Sequence, residues 1–68
     1  MDNVEKVREF LGSRGLPGGS GVRLEGDCVR WGRLKLVDYG EFFAVEDPLA
    51  GMDFVGDTVE GALEEYYG

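Results

Sequence analysis

The run Val22-Arg23-Leu24-Glu25-Gly26-Asp27-Cys28-Val29-Arg30-Trp31-Gly32-Arg33-Leu34-Lys35-Leu36-Val37-Asp38-Tyr39-Gly40-Glu41-Phe42-Phe43-Ala44-Val45 decides how this chain folds. Apolar and polar residues alternate in it with a period of two, the spacing of a half-buried strand. Glycine-containing dipeptides break the alternation at Gly26-Asp27, Gly32-Arg33 and Tyr39-Gly40. A two-residue turn at the first sets Glu25 opposite Cys28, Leu24 opposite Val29 and Val22 opposite Trp31. The second sets Trp31 opposite Leu34 and Val29 opposite Leu36. The third sets Leu36 opposite Phe43 and Leu34 opposite Val45. All three place Val22, Leu24, Val29, Trp31, Leu34, Leu36, Phe43 and Val45 on one face. A slip of one residue would turn that whole set outward, so the agreement predicts an antiparallel meander over 22–46. One long strand bulged at Gly32 is the alternative.

The flanks supply what covers that face. Asp2 followed by Glu5 resembles a capping box, and Val4, Val7, Phe10 and Leu11 recur at helical spacing, which predicts an amphipathic helix over 3–14. Gly15 stands where a left-handed C-cap belongs, Leu16 is placed to touch Leu11, and Pro17 forbids continuation. Residues 17–21, Pro-Gly-Gly-Ser-Gly, read as a flexible connector. Beyond the meander, Asp47-Pro48 ends a strand, and Met52 to Val55 offers a short edge strand. Asp57 with Glu60 reads as a second capping box ahead of Val59, Ala62, Leu63 and Tyr66, the stripe of a closing helix over 57–67. The expectation is a single α+β domain over 1–68. It is a two-layer sandwich in which an N-terminal and a C-terminal helix cover one face of a three- to four-stranded antiparallel sheet.

The chain has 68 residues, enough for one core and too few for two. Its 43% apolar fraction is that of a globular domain rather than a disordered tail. With no apolar run after a basic start and no window of membrane-spanning length, the expected location is the cytoplasm.

The net charge of −7 is unevenly distributed. All seven bases, Lys6, Arg8, Arg14, Arg23, Arg30, Arg33 and Lys35, precede position 36. Residues 1–37 carry seven bases against five acids, +2, whereas residues 38–68 carry nine acids and no base, −9. Such a half repels nucleic acid and membrane surfaces and attracts a basic protein partner. Glu46, Asp47, Asp53, Asp57, Glu60, Glu64 and Glu65 are the candidate partner-binding residues, set against the plain alternative of a solubilising surface.

Catalytic chemistry finds little to use. There is no histidine, hence no ordinary general base at neutral pH and no common metal ligand. The only cysteine, Cys28, cannot form an intramolecular disulfide or a cysteine zinc site and reads as a small buried hydrophobe. Ser20 lies in a glycine-rich run that lacks both a following helix and a nearby lysine, so it is neither a phosphate cradle nor a nucleophile elbow. The carboxylates at Glu46, Asp47, Asp53 and Asp57 do not follow a calcium-loop spacing. No catalytic, cofactor-binding or metal residue is expected. An alternative site is a basic strip, Arg23, Arg30 and Lys35, aligned on the outer face of the meander with Tyr39 and Phe42 nearby. It could serve nucleic acid, or it could meet the acidic half of a second copy to give a homodimer.

The segment Phe42-Phe43-Ala44-Val45-Glu46-Asp47-Pro48-Leu49-Ala50-Gly51, with Gly56-Asp57-Thr58-Val59-Glu60-Gly61-Ala62-Leu63-Glu64 after it, resembles the HicB-type antitoxin family. That family shows an aromatic strand, a Pro-Asp-Leu-Pro-Gly-like turn, a short strand and Gly-Asp-Thr-x-Glu-x-Ala-Leu opening a helix. Leu49, Gly51, Gly56, Asp57, Thr58, Glu60, Ala62 and Leu63 match in kind and spacing, within a similarity that covers 34–66. The turn Glu46-Asp47-Pro48-Leu49-Ala50-Gly51 departs from the family's form. The first helix and first hairpin have no counterpart, and a DNA-binding appendage is missing. The resemblance implies a non-enzymatic binder that occludes a basic ribonuclease toxin and does not itself bind DNA.

Overall fold

Alternation, turns and caps combine in the computed structural model, which describes residues 2–68, into two helices and one five-stranded antiparallel sheet. The elements are α1 (Asn3–Ser13), a 3-10 turn at Gly19–Gly21, β1 (Arg23–Glu25), β2 (Cys28–Trp31), β3 (Leu34–Asp38), β4 (Phe43–Glu46), β5 (Asp53–Gly56) and α2 (Val59–Tyr67). The strands lie side by side in chain order. The sheet has five strands rather than three to four, because the segment after Pro48 turns back at Gly51 (φ +73°) and pairs along the whole of β4.

The first two hairpins have the register the alternation predicts, Leu24 opposite Val29 and Trp31 opposite Leu34. The third differs. Leu36 pairs with Val45 and Asp38 with Phe43, so the connection is the four residues Tyr39–Phe42 and not a two-residue turn. An aspartate turn explains the longer loop: the Asp38 carboxylate accepts the Gly40 amide at 2.8 Å, and Gly40 takes φ +93°. The shift is by two residues, so every side chain keeps its face.

The inner face is the core. Val29, Trp31, Leu34, Leu36 and Val45 are buried against Val7, Phe10 and Leu11 of α1 and Val59, Ala62 and Leu63 of α2. Phe43 is half-buried, and Leu24 is 65% exposed, because it lies on the short edge strand β1 rather than under a helix. Cys28 is half-buried, not buried, and its register places it on the outer face beside Val37.

Local signals fix the helix ends. Asp2 caps α1 by accepting the Glu5 amide at 2.9 Å. At the other end the Leu16 amide donates to the Leu11 carbonyl with Gly15 at φ +65°, a Schellman closure. The cap of α2 is Thr58, which accepts the Gly61 amide at 2.9 Å, one residue later than the expected Asp57. The segment 17–21 is not a loose connector. It contains the 3-10 turn, and Gly18 lies so close to the Trp31 ring that a Cβ there would be 3.3 Å from it. Arg8 donates to the Val22 carbonyl at 3.1 Å and ties α1 to the first strand. Among the described residues, no helix is long and apolar enough to cross a membrane.

Two glycines are expected to respond in opposite directions to the same substitution. A Cβ at Gly56 would run into the backbone of α2, with the Gly61 carbonyl carbon at 2.6 Å, because β5 and the first turn of α2 meet backbone to backbone. Gly12, inside α1, has open space around it. Gly56→Ala should destabilise by about 2 kcal/mol, the scale of an overpacked core site, lowering Tm by roughly 10 °C. Gly12→Ala should stabilise by about 0.5–1 kcal/mol. Thermal melts of the two variants check both signs.

Candidate functional site

The face of the sheet away from the helices carries its charges in one row. Register places Arg23 opposite Arg30, Arg30 opposite Lys35, Lys35 opposite Glu46 and Glu46 opposite Asp53. From β1 to β5 the row reads three cations and then two carboxylates. This follows from strand alternation together with a meander laid down in chain order, which converts the charge division along the sequence into a charge gradient across the sheet.

The cations are partly neutralised from within. Glu25, two residues from Arg23 and on the same face, accepts from Arg23 at 2.7 Å and lies 3.7 Å from Arg30. Lys35 pairs with Glu46 at 3.4 Å. Glu25 therefore offsets the positive charge of Arg23 and Arg30 from within the chain, and its place on their face is legible from the i, i+2 spacing alone. Asp53 has no cationic partner among the described residues.

The next row on the same face is apolar from β2 to β5, with Cys28, Val37, Ala44 and Val55, and has Glu25 at its β1 end. From the β3–β4 turn Tyr39 extends over this face and donates its hydroxyl to Glu46 at 2.6 Å. To reach Glu46 its ring must cross the Val37–Ala44 row, which accounts for Ala44 being 1% exposed although it faces away from the helices. Phe42 stacks on Tyr39 with ring centres 5.1 Å apart. The hydrogen bond to Glu46 and the partial burial of the ring push the Tyr39 hydroxyl above its ordinary pKa. Between the charge row and the β4–β5 loop lies an open cleft of about 560 Å³, lined by Arg30, Lys35, Glu46, Asp53, Pro48 and Met52, with Arg33 and Asp47 at its base.

The seven candidate partner-binding acids do not form one surface. Glu46 and Asp53 stand on the outer face. Asp57 and Glu60 flank the start of α2, where negative charge suits the helix dipole. Glu65 is exposed on α2, and Glu64 beside it pairs with Arg14 at 3.1 Å. Asp47 turns inward and is 7% exposed. Its carboxylate accepts both arms of the Arg33 guanidinium at 2.9 and 3.1 Å, the Leu49 amide at 2.9 Å and the Tyr66 hydroxyl. Asp47 is thus a structural clasp between the β2–β3 turn, the β4–β5 loop and the last turn of α2, and it is not presented to a partner. The Arg33 fork, then the Tyr66 hydroxyl and the Leu49 amide, hold Asp47 far below the usual carboxylate range. The same hydrogen bond raises Tyr66.

Three of the nine acids after position 37 meet an arginine or lysine: Glu46, Asp47 and Glu64. Asp38, Glu41, Asp53, Asp57, Glu60 and Glu65 pair with none among the described residues. The sequence reading did not anticipate where the exposed apolar side chains would gather. Of the six large ones among the described residues, Tyr39, Phe42, Leu49, Met52 and Val55 all fall within the same base-free stretch, and Leu24 lies outside it. Among the described residues no three potential metal-ligating side chains converge. Compared with protein-family models, with curated protein sequences and with solved structures, the chain matches none.

The Asp47 clasp sets an acid limb to stability. An unfolded aspartate titrates near pH 4. Below that pH the unfolded chain takes up a proton that folded Asp47 refuses, so the contribution is present above about pH 4 and is lost as pH falls. Asp47→Asn should therefore unfold at lower urea than the parent at pH 7, and its urea midpoint should fall less than the parent's between pH 4 and pH 2. Equal acid slopes would show that Asp47 is not the responsible group.

Proposed function

We propose that this protein is a non-catalytic interaction module that binds a basic protein through the β4–β5 side of its sheet, in the manner of an antitoxin. The observation that carries the reading is the coincidence, in residues 38–55, of carboxylates without cationic partners and exposed apolar side chains. A patch of this kind combines apolar anchors that gain by being covered with a charged rim that orients the partner. Leu49 (77% exposed), Met52 (61%) and Val55 (47%) are the anchors, and Asp53 and Glu46 are the neighbouring acids. Asp57, Glu60, Glu64 and Glu65 extend the field around α2 and contribute to the rate of encounter more than to the contact itself.

Similarity of 34–66 to HicB-type antitoxins points the same way, toward a basic ribonuclease as the class of partner. The matched residues Gly56, Thr58 and Ala62 have structural duties here, in the β5–α2 contact and the α2 cap. The similarity therefore supports a shared scaffold, and the case for the partner rests on the exposed residues. The absence of histidine from the chain and the internal pairing of Arg33, Asp47 and Tyr66 favour binding over catalysis. The compensation of Arg23 and Arg30 by Glu25 disfavours nucleic acid as the ligand.

The test is capture from native lysate on the immobilised full chain, eluted with a salt gradient. A basic protein should elute as salt rises, and Leu49→Ser/Met52→Ser and Asp53→Arg should each weaken its retention about tenfold, whereas Arg23→Asp should leave it unchanged or strengthened. A captured protein that is acidic, or one whose retention ignores these substitutions, would refute the proposal.

A further inference from the structure

The outer face of the sheet carries no covering element, and its charge row is complementary to itself in one orientation only. Consider two copies stacked with these faces together. A two-fold axis parallel to the strands and centred on β3 lays β1 of one copy over β5 of the other. Arg23 then meets Asp53 of the second copy, and Arg30 meets its Glu46. A two-fold axis across the strands and along the charge row instead lays β1 over β1 and drives Arg23 and Arg30 onto their own counterparts, and one between the two rows sets Arg30, Lys35, Glu46 and Asp53 over Cys28, Val37, Ala44 and Val55. From this we infer that the outer sheet face is a homodimer interface, with the strands of the two copies stacked about an axis parallel to β3. The inference does not rest on the basic-partner reading.

Three further observations fit the same arrangement. Asp53, the carboxylate at one end of the row, has no cationic partner among the described residues, and Arg23, at the other end, is half exposed even with Glu25 beside it. The second row is brought onto itself at Val37 over Val37, while Glu25 at its β1 end faces Val55 of the second copy and Ala44 stays beneath its own Tyr39 ring. The Tyr39–Phe42 stack stands proud on the β4 side only, and the axis carries it over Cys28 of the second copy, where the sheet side chain is small. Lys35, on the axis, meets its own counterpart, but each copy's Lys35 already pairs with Glu46 at 3.4 Å. Five strands about 4.8 Å apart, each about four residues long, give a footprint of roughly 20 by 14 Å. That is roughly 280 Å² per partner, below the roughly 600 Å² at the low end for a stable interface, so the dimer should be weak, dissociating in the high micromolar range, and should weaken further with salt.

Arg23 and Asp53 lie on opposite edges of one sheet, four strand spacings or about 19 Å apart, too far to interact within a chain. Charge exchange between them is therefore diagnostic. By sedimentation equilibrium at low salt the full chain should dimerise, and Arg23→Asp and Asp53→Arg alone should each weaken the dimer at least about tenfold, since every substitution acts twice in a two-fold assembly. The double variant R23D/D53R should recover most of the parental affinity. In parallel, the labelling rate of Cys28 with a thiol reagent should fall as parental concentration rises and should not fall for Arg23→Asp. Circular dichroism melts establish that each variant folds.

A parental chain that stays monomeric at millimolar concentration overturns the inference, as does a dimer indifferent to both reversals or one that the double variant does not restore. Edge association of β1 with β1 or β5 with β5 predicts no rescue. Edge association of β1 with β5 predicts rescue with open-ended polymers rather than a closed dimer. Loss of the dimer with basic-protein capture intact, the pattern expected of Arg23→Asp, separates this inference from the proposed function.

Discussion

Strand alternation is the constraint from which core, surface and site all follow. Val29, Trp31, Leu34, Leu36 and Val45 point inward because they occupy one parity along their strands, and Arg30, Lys35 and Glu46 point outward because they occupy the other. In a chain of 68 residues there is one core to fill, and both helices are drawn to the face that holds it. The opposite face is left without a covering element. What it displays is then set by whichever residues share the second parity, and here these are a row of charges and a row of small apolar side chains.

A second requirement is that the acidic half be held against the basic half without being neutralised by it. Asp47 meets this requirement at one point. Its carboxylate is bound to Arg33 from the first half of the chain and to Tyr66 from the last turn, and Tyr66 in turn packs edge-on against Phe54 and Tyr67. Tyr67 accepts a hydrogen bond from the Trp31 indole at 3.0 Å, which joins the end of α2 to the middle of the core. With the C-terminal helix held by its buried stripe of Val59, Ala62 and Leu63 and tied at its end by one carboxylate, six of the other eight acids of this half are without lysine or arginine partners among the described residues. The negative field survives folding because the clasp uses so few of the charges.

The sequence made the inner face, the first two hairpins and both helices legible, since each depends on local periodicity and local caps. The third connection was not legible in its length, because a two-residue turn at Tyr39-Gly40 and a four-residue loop at 39–42 give the same parity, and hydrophobic pattern cannot separate registers that differ by two. The fifth strand was only hinted at. Phe54 and Val55 are both apolar, so alternation there is blurred, and the reversal depends on Gly51 and on the Asp47 turn, which are not periodic signals. Alternation alone aligns Arg23, Arg30 and Lys35, whereas their compensation by Glu25 depends on side-chain reach that the pattern does not carry. Asp47 was grouped with the surface acids because a carboxylate before a proline looks like a strand end. The partner that draws it inward, Arg33, is 14 residues away, and no local pattern announces that pairing.

The meander gives the charge division its geometric meaning. Had the strands been connected by crossovers, the cations of β1 to β3 and the carboxylates of β4 and β5 would have been interleaved and would have cancelled across neighbouring strands. Laid down in order, they meet only once, at Lys35 and Glu46, and the remainder stand apart as a gradient. A gradient across a flat face has two complements: a surface of positive charge against its acidic side, or the same face turned about the strand axis. Both need Glu46 and Asp53, so the proposed basic partner and the proposed second copy would compete for the same carboxylates. A weak dimer of small footprint would give way to a competitor that adds apolar contacts to Leu49 and Met52, which lie in the β4–β5 loop outside the paired strands.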